Sequence, residues 1–419
     1  MLPGMPTTAS LSTDIDLGDH AHWVDDPPYA LFAKLRRDAP AHFSPNARFP
    51  EEGGFWSLTR AADVHAVTRD FETFSSEQRG IFLCDDVGVP LDVQRLQMIS
   101  MDPPRHDRLK QLVGKAFTPR RINEHEVHVR EIVREMLGRL EGRDECDLIR
   151  DLGRAVPARV IGSLLGTPES DDKRLLHWTN VATAFEDADI RAGWDDSMVE
   201  LGDVVNYINA VREQREADPG DDLLTALIGA EVNGDRLNEL EIATFFLLLL
   251  AAGNDSTRAT YTQTMLALMR DPEQRQLLLD DPSLIPRAVE EGLRCFPAFG
   301  FMGRSATRDV ELHGQTIRKG DRVLLWYIAS NRDPERFENP ERFDLMRDGL
   351  DVHQGFGAGG RHFCLGAALA RMEMRVWIEE TLQRFPAMEL AGPPTRIRAL
   401  FLNQHTSIPV KLNGKTLLA

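Results

Sequence analysis

Towards the carboxy-terminal end of the chain, the run GFGAGGRHFCLGAALARMEMR places one cysteine, Cys364, between a glycine-rich loop and a stretch of helix-forming residues. The loop Gly355-Phe356-Gly357-Ala358-Gly359-Gly360 can take positive φ and present backbone amides at close range. A helix beginning at Leu365 would bring its partial positive charge to the same sulfur, lowering the thiol pKa and favouring the thiolate. Gly366, lacking a side chain, leaves room for a flat macrocycle. Together these features suit a thiolate ligand to a planar metal cofactor. On haem iron such a ligand pushes electron density outward and favours O–O cleavage, so the chemistry indicated is oxygen activation. Taken alone, Cys364 fits a buried core cysteine behind a turn just as well.

A second polar set interrupts the longest apolar helix, LEIATFFLLLLAAGNDSTRATYTQTMLALMR. Phe245 to Ala252 are apolar all round, which predicts burial. Gly253 then weakens the helix, Asn254 and Asp255 bring polar groups to it, and Ser256 can return its hydroxyl to the carbonyl of Ala252. Such a sequence can bend the hydrogen-bond ladder and open a polar groove that holds water. Dioxygen activation needs protons delivered into an otherwise dry pocket. Asp255 would relay them from solvent and Ser256 would hydrogen-bond the reacting oxygen or its water, although by themselves the pair also fits a capped or kinked helix. The third set is Glu290-Glu291-Gly292-Leu293-Arg294, where Glu291 and Arg294 stand three apart. In isolation this is a solvated helix pair worth a few tenths of a kcal/mol.

These motifs, together with the segment Asp102-Pro103-Pro104-Arg105-His106-Asp107-Arg108-Leu109-Lys110, resemble the cytochrome P-450 family in their order along the chain from Asp102 to Gly366. Phe356, His362, Cys364 and Gly366 match the family's haem-ligand loop, with one residue more between Phe356 and Cys364 than is usual, which is read as an extra glycine. Ala252-Gly253-Asn254-Asp255-Ser256-Thr257 resembles the Ala-Gly-x-Asp/Glu-Thr-Thr motif, with serine where threonine is common. The resemblance implies that Cys364 is the axial ligand of haem b, iron protoporphyrin IX, and that Phe356, Ala252 and Gly366 border it. It implies that Asp255 and Ser256 manage protons. It makes His106, Lys110, Arg304 and His362 the partners of the haem propionates, with Lys110 replacing the commoner arginine. Glu291 and Arg294 then join Arg342, from NPERFD, in a buried structural network whose breaking costs roughly 3–5 kcal/mol. Pocket walls are expected at Ile81 to Ile99, Trp178 to Phe185, Ala251-Ala252, Ala298-Phe299 and Leu400-Phe401-Leu402, with Phe82, Ala251, Phe299 and Phe401 touching the substrate. Similarity to bacterial members points to terpenoids, sterol side chains or branched lipids. A peroxide-driven hydroxylase and a haem-binding sensor or redox carrier without turnover are the alternatives.

The elements that must hold these groups are mostly helical. Amphipathic periodicity predicts helices over Tyr29 to Arg37, Arg60 to Asp70, Arg105 to Ala116, Glu124 to Leu140, Ala155 to Leu165, Asp195 to Ala217, Glu239 to Met269, Ser283 to Phe296 and Leu365 to Phe385. Short strands are expected at His42-Phe43, Gly54 to Leu58, Met302 to Ala306, Val310 to Leu312 before a His313-Gly314 turn, and Val323 to Leu325. The expectation is a mainly α, cytochrome P-450-like helical domain with a smaller β-rich lobe, one domain over 1–419 with an extended segment over 1–28.

The 419 residues are 42% hydrophobic, enough for a large core. A net charge of −17 argues against a nucleic-acid partner. The longest apolar run, Phe245 to Gly253, is too short to cross a bilayer, so a cytoplasmic protein without membrane insertion is expected. The four cysteines show no metal-ligand spacing and no disulfide framework. No GxGxxG follows a strand, so electrons are expected from a ferredoxin-type donor and its reductase. Arg108, Lys110, Lys115, Arg120, Arg121, Arg371 and Arg375 would form its docking patch.

Overall fold

The computed structural model describes residues 15–46, 49–85, 87, 89–183 and 197–412. Seven helices frame the site: α1 (Arg105–Gly114), α2 (Glu126–Gly138), α3 (Ala155–Leu164), α4 (Asp172–Thr183), α5 (Glu239–Arg270), α6 (Ile285–Cys295) and α7 (Ala367–Arg384). All but α4 follow the predicted periodicity to within about two residues at each end, as expected where ends fray. The helices Pro119–Glu124, α4, Leu223–Ile228 and Pro272–Asp280 were not anticipated. The predicted helix from Asp195 is seen as Ser197–Ala217, with Asp195 and Asp196 outside the described residues.

The central element is α5, because it is buried along most of its length. A capping box starts it: the Asn238 side chain accepts from Glu241 N at 2.9 Å while Glu241 Oε2 accepts from Asn238 N at 2.9 Å. Further along, Tyr261 stacks on Trp377 of α7 at 3.6 Å, and its hydroxyl meets Thr381 Oγ1 at 2.7 Å. These contacts lock the helix of the proton-handling motif to the helix that follows the cysteine. On the other side, a Cβ on Gly253 would lie 2.7 Å from Ile161 Cδ1 of α3. Glycine is needed there for close helix packing.

The β-rich lobe is a five-stranded sheet of β1 (Ala41–Ser44), β2 (Phe55–Leu58), β3 (Phe74–Ser75), β4 (Phe301–Ala306) and β5 (Arg322–Trp326), in the order β1-β2-β5-β4-β3. Only β2 and β5 run parallel. Beside it, strands Val310–Leu312 and Gln315–Ile317 are joined at His313 and Gly314, with φ of +50° and +73°, which gives the expected two-residue turn. Short strands at Glu145–Asp147, Glu389–Leu390 and Pro409–Lys411 form a further sheet that was not predicted. The described part of the amino-terminal segment, from Ile15, is not simply extended. His20–Trp23 form a turn of 3-10 helix, and Trp23 stacks on Trp326 at 5.5 Å. Among the described residues, no helix is long and apolar enough to cross a membrane.

Candidate active site

The cysteine loop is closed by a hydrogen bond from Cys364 N to Phe356 O at 3.0 Å. Gly357, Gly359 and Gly360 take φ of +92°, +87° and +74°, a conformation open to glycine at little cost. A Cβ on Gly360 would lie 2.8 Å from Thr68 O, so the longer loop rests directly on the helix Ala61–Arg69. Arg361 lies over the Phe71 ring at 4.4 Å and pairs with Asp107. Lys110 of α1 donates to the carbonyls of Arg361 and Phe363. Its ammonium therefore braces the loop.

Cys364 opens onto a cavity that it shares with Phe356, Leu365 and Gly366 and with Ala252, Gly253, Ser256 and Thr257 of α5. A Cβ on Gly366 would meet nothing within 4 Å and would project into open space. The helix starts at Ala367, two residues later than expected, and Gly366 N–H reaches the sulfur. The expected lowering of the thiol pKa does not hold. Burial pushes it up, against the Gly366 amide and the charges of Arg371 and Lys110. Enclosure around the sulfur prevails although the side chain remains half-exposed toward the cavity. Coordination to a metal ion removes the thiol proton outright.

α5 runs as one helix from Glu239 to Arg270, unbroken at the motif. Ser256 Oγ donates to Ala252 O at 2.5 Å, as anticipated from the spacing. Asn254 Nδ2 reaches Thr179 Oγ1 of α4 at 3.4 Å. Ser256 faces the cavity whereas Asp255, buried, is not among the cavity's lining residues and pairs with Arg258. Arg258 in turn donates to Gln404 Oε1 at 2.8 Å, and half-buried Arg154 feels the charges of both Asp255 and Arg258.

Polar groups cluster at one edge of the cavity. The His106 and His362 rings stand 4.2 Å apart, and burial holds both imidazoles below their usual pKa, so both are neutral at pH 7. His106 Nδ1 meets Asp107 Oδ1 at 3.1 Å and His362 Nε2 meets Ser76 Oγ at 3.2 Å. Arg304 is buried on β4, where it donates to Gly303 O at 2.7 Å and makes no ion pair among the described residues. A buried guanidinium without a counter-charge is costly, and its place on the cavity suits an anionic ligand group. An apolar slot with a sulfur, a bare glycine and such a cation fits haem with its propionates.

The structural network needs one correction. Arg294 is fully buried and grips Glu291 with two bonds of 2.7 and 2.8 Å. The arginine that completes it is Arg347, whose Nε meets Glu291 Oε1 at 3.2 Å. Arg342 is exposed and offers only its carbonyl, to Arg294 at 3.0 Å and Arg347 at 2.7 Å. A turn from Asp344 O to Arg347 N brings the later residue inward.

Of the expected substrate contacts, Phe299 lines the cavity but Phe82, Ala251 and Phe401 do not. Phe401 is buried behind it, 5.0 Å from Phe82 and 5.0 Å from Phe299, in an aromatic cluster of the core. The expected wall through Phe185 extends beyond the described residues. Sequence reasoning missed Phe245, Leu248 and Leu249 on α5, Met302 on β4, and Glu373 on α7. Glu373 is buried, its Oε1 has no hydrogen-bond partner among the described residues, and burial pushes its pKa up to about 8. Its signal was weak, one acid among the charges of α7.

The basic patch is largely neutralised. Arg108 pairs with Asp235 and Glu241, Arg120 with Glu124, Arg371 with Glu290, and Arg375 with Glu126. The exposed aromatic on this loop is Phe363, immediately before Cys364.

Comparison with known proteins fixes the class. The family model for Cytochrome P450 matches residues 279–410. The methyl-branched lipid omega-hydroxylase of Mycobacterium tuberculosis is 38% identical over 417 residues, covering 97% of this chain and 96% of its own. The linalool 8-monooxygenase of Pseudomonas putida is 32% identical over 407 residues, covering 96% and 99%. A Mycobacterium marinum cytochrome P450 in complex with pseudoionone superposes with a TM-score of 0.87 at 33% identity, covering 97% of this chain and all of that one. The chain belongs to the cytochrome P450 family and is a haem-thiolate mono-oxygenase.

Proposed function

We propose that this chain, acting as one domain in the cytoplasm with haem b as cofactor, hydroxylates an unactivated C–H bond of a small hydrophobic substrate. The substrate class is terpenoid, steroid or branched lipid, and the electrons come from a separate ferredoxin and its reductase. The observation that carries this reading is the apolar cavity in which the Cys364 sulfur, the Ser256 hydroxyl and the Phe299 ring meet. Bound haem supplies the dioxygen chemistry.

The protein's own groups do the rest. Cys364 supplies the thiolate, with Phe356, Ala252 and Gly366 bordering the ring. Arg304, His106 and His362 hold the propionates while Lys110 secures the loop. Asp255 relays protons from solvent and passes them, on release from Arg258, to the Ser256 hydroxyl. Phe299, Leu248, Leu249 and Met302 shape a dry space that orients a substrate with few polar anchors. The relatives named for a methyl-branched lipid and for linalool support the substrate class. Exposed Phe363, next to Cys364, offers a donor a short path to the sulfur.

The test is a titration of the purified holoprotein with a branched fatty acid, a steroid and an acyclic terpenoid, followed by turnover with ferredoxin, reductase and NADPH. At least one compound is expected to shift the Soret band to the high-spin position and to gain one oxygen atom. A spin shift without product would favour a sensor, and equal product from hydrogen peroxide alone would favour the peroxide-driven enzyme.

A further inference from the structure

Glu290 of α6 precedes the buried Glu291 and has its own set of partners. Its carboxylate receives Arg371 of α7 in a fork, Nε at 2.6 Å and Nη2 at 2.9 Å, and meets His353 Nε2 at 3.0 Å. His353 is buried, and its Nδ1 accepts the backbone N–H of Gly355 at 3.0 Å. The ring is therefore the Nε2–H tautomer, donating to Glu290. The Arg371 guanidinium lies over the Phe356 ring at 4.7 Å. One carboxylate thus fixes two consecutive residues of the cysteine loop, Gly355 through its amide and Phe356 through its ring.

We infer that Glu290, acting through His353 and Arg371, positions the sulfur side of the haem and sets its reduction potential. Arg371 is then a positioning residue, directed inward and not toward the electron donor. The inference rests on Cys364 being the haem ligand. Reduction adds a negative charge to the ligated site, and a fixed cation nearby favours that charge, as is general for groups around a metal's ligands. The guanidinium's planar fork on Glu290 is what a lysine cannot reproduce.

The experiment measures reduction potential by spectroelectrochemical titration of the full-chain holoprotein, for wild type, Arg371→Leu, Arg371→Lys and Glu290→Gln, beside the half-saturating concentration of a [2Fe–2S] ferredoxin in turnover. Arg371→Leu is expected to shift the potential to more negative values, Arg371→Lys to recover part of the shift, and Glu290→Gln to shift it the other way by leaving the cation uncompensated. The ferredoxin concentration should stay within twofold of wild type. If Arg371→Leu fails to retain haem, Arg371→Lys and Glu290→Gln carry the comparison. Potentials unchanged in the variants that retain a thiolate spectrum, or a tenfold change in ferredoxin concentration at constant potential, would overturn the inference alone. A wild type without the thiolate spectrum would overturn the ligand reading, and the inference with it.

Discussion

The loop carrying Cys364 and the stretch of α5 carrying Ser256 share one cavity but are held in different ways. The loop has little regular structure, and distant residues fix it: Lys110 takes the carbonyls of Arg361 and Phe363, His353 takes the amide of Gly355, and Thr68 meets Gly360. The α5 stretch holds itself, since its backbone stays helical, Ser256 bonds back to Ala252 and Asp255 bonds forward to Arg258. The difference assigns separate roles. Damage to the loop's supports should cost cofactor retention, because no local structure remains to hold the sulfur. Damage to the α5 side chains should cost turnover, because the helix survives without them.

The largest effect on the loop side should follow from opening the network beneath it. Glu291→Gln is expected to destabilise the fold by about 3–5 kcal/mol by leaving buried Arg294 and Arg347 without their shared counter-charge, and Arg347→Leu by about 1–3 kcal/mol by removing its bonds to Glu291 and to the Glu338, Asn339 and Arg342 carbonyls, both read as lower Tm and haem content. Arg342→Ala, at an exposed side chain, should change stability by no more than about 0.5 kcal/mol. The opposite ranking would restore Arg342 to the network. On the α5 side, Asp255→Asn should slow turnover on the order of 10²-fold while the substrate-induced spin shift stays at wild-type concentration. Loss of the spin shift would mean that Asp255 supports the pocket itself.

A pH dependence separates the two regions. Glu373, on the helix after the loop yet facing the cavity, has its pKa raised by burial from the ordinary 4.5 to about 8. Between those values the folded chain keeps a proton that the unfolded chain releases. Its contribution to stability is therefore full below pH 4.5 and is lost as pH rises through 8. Glu373→Gln should flatten the fall in Tm over that window. An unchanged slope would place its carboxyl in contact with solvent.

What the sequence revealed follows the same division. The cysteine loop and the Ala252–Thr257 motif were legible because each is a short run whose chemistry depends on adjacent residues. The helices were legible through periodicity, and the His313-Gly314 turn through its residue types. Arg347 was not, because its inward direction depends on a turn at Asp344 and on a partner more than fifty residues away. Gly253 was visible, but its reason was hidden: Ile161 approaches it from another helix. Phe82 and Phe401 read as pocket aromatics, and only the folded chain shows them packed on each other, with Phe401 also against Phe299. Arg371 read as a surface cation, because Glu290 and Phe356 meet it only in the folded chain. The two- and three-residue strands near the carboxy-terminal end carry too little pattern to be seen at all.

Whether Cys364 holds the haem as a thiolate is read from the absorption spectrum of the dithionite-reduced protein under carbon monoxide, for wild type and Cys364→Ala. Wild type is expected to show the strongly red-shifted Soret band of a thiolate ligand, and the variant to lose it completely. A wild-type band at the shorter wavelength of histidine-ligated haem, or an unchanged band in Cys364→Ala, would contradict it.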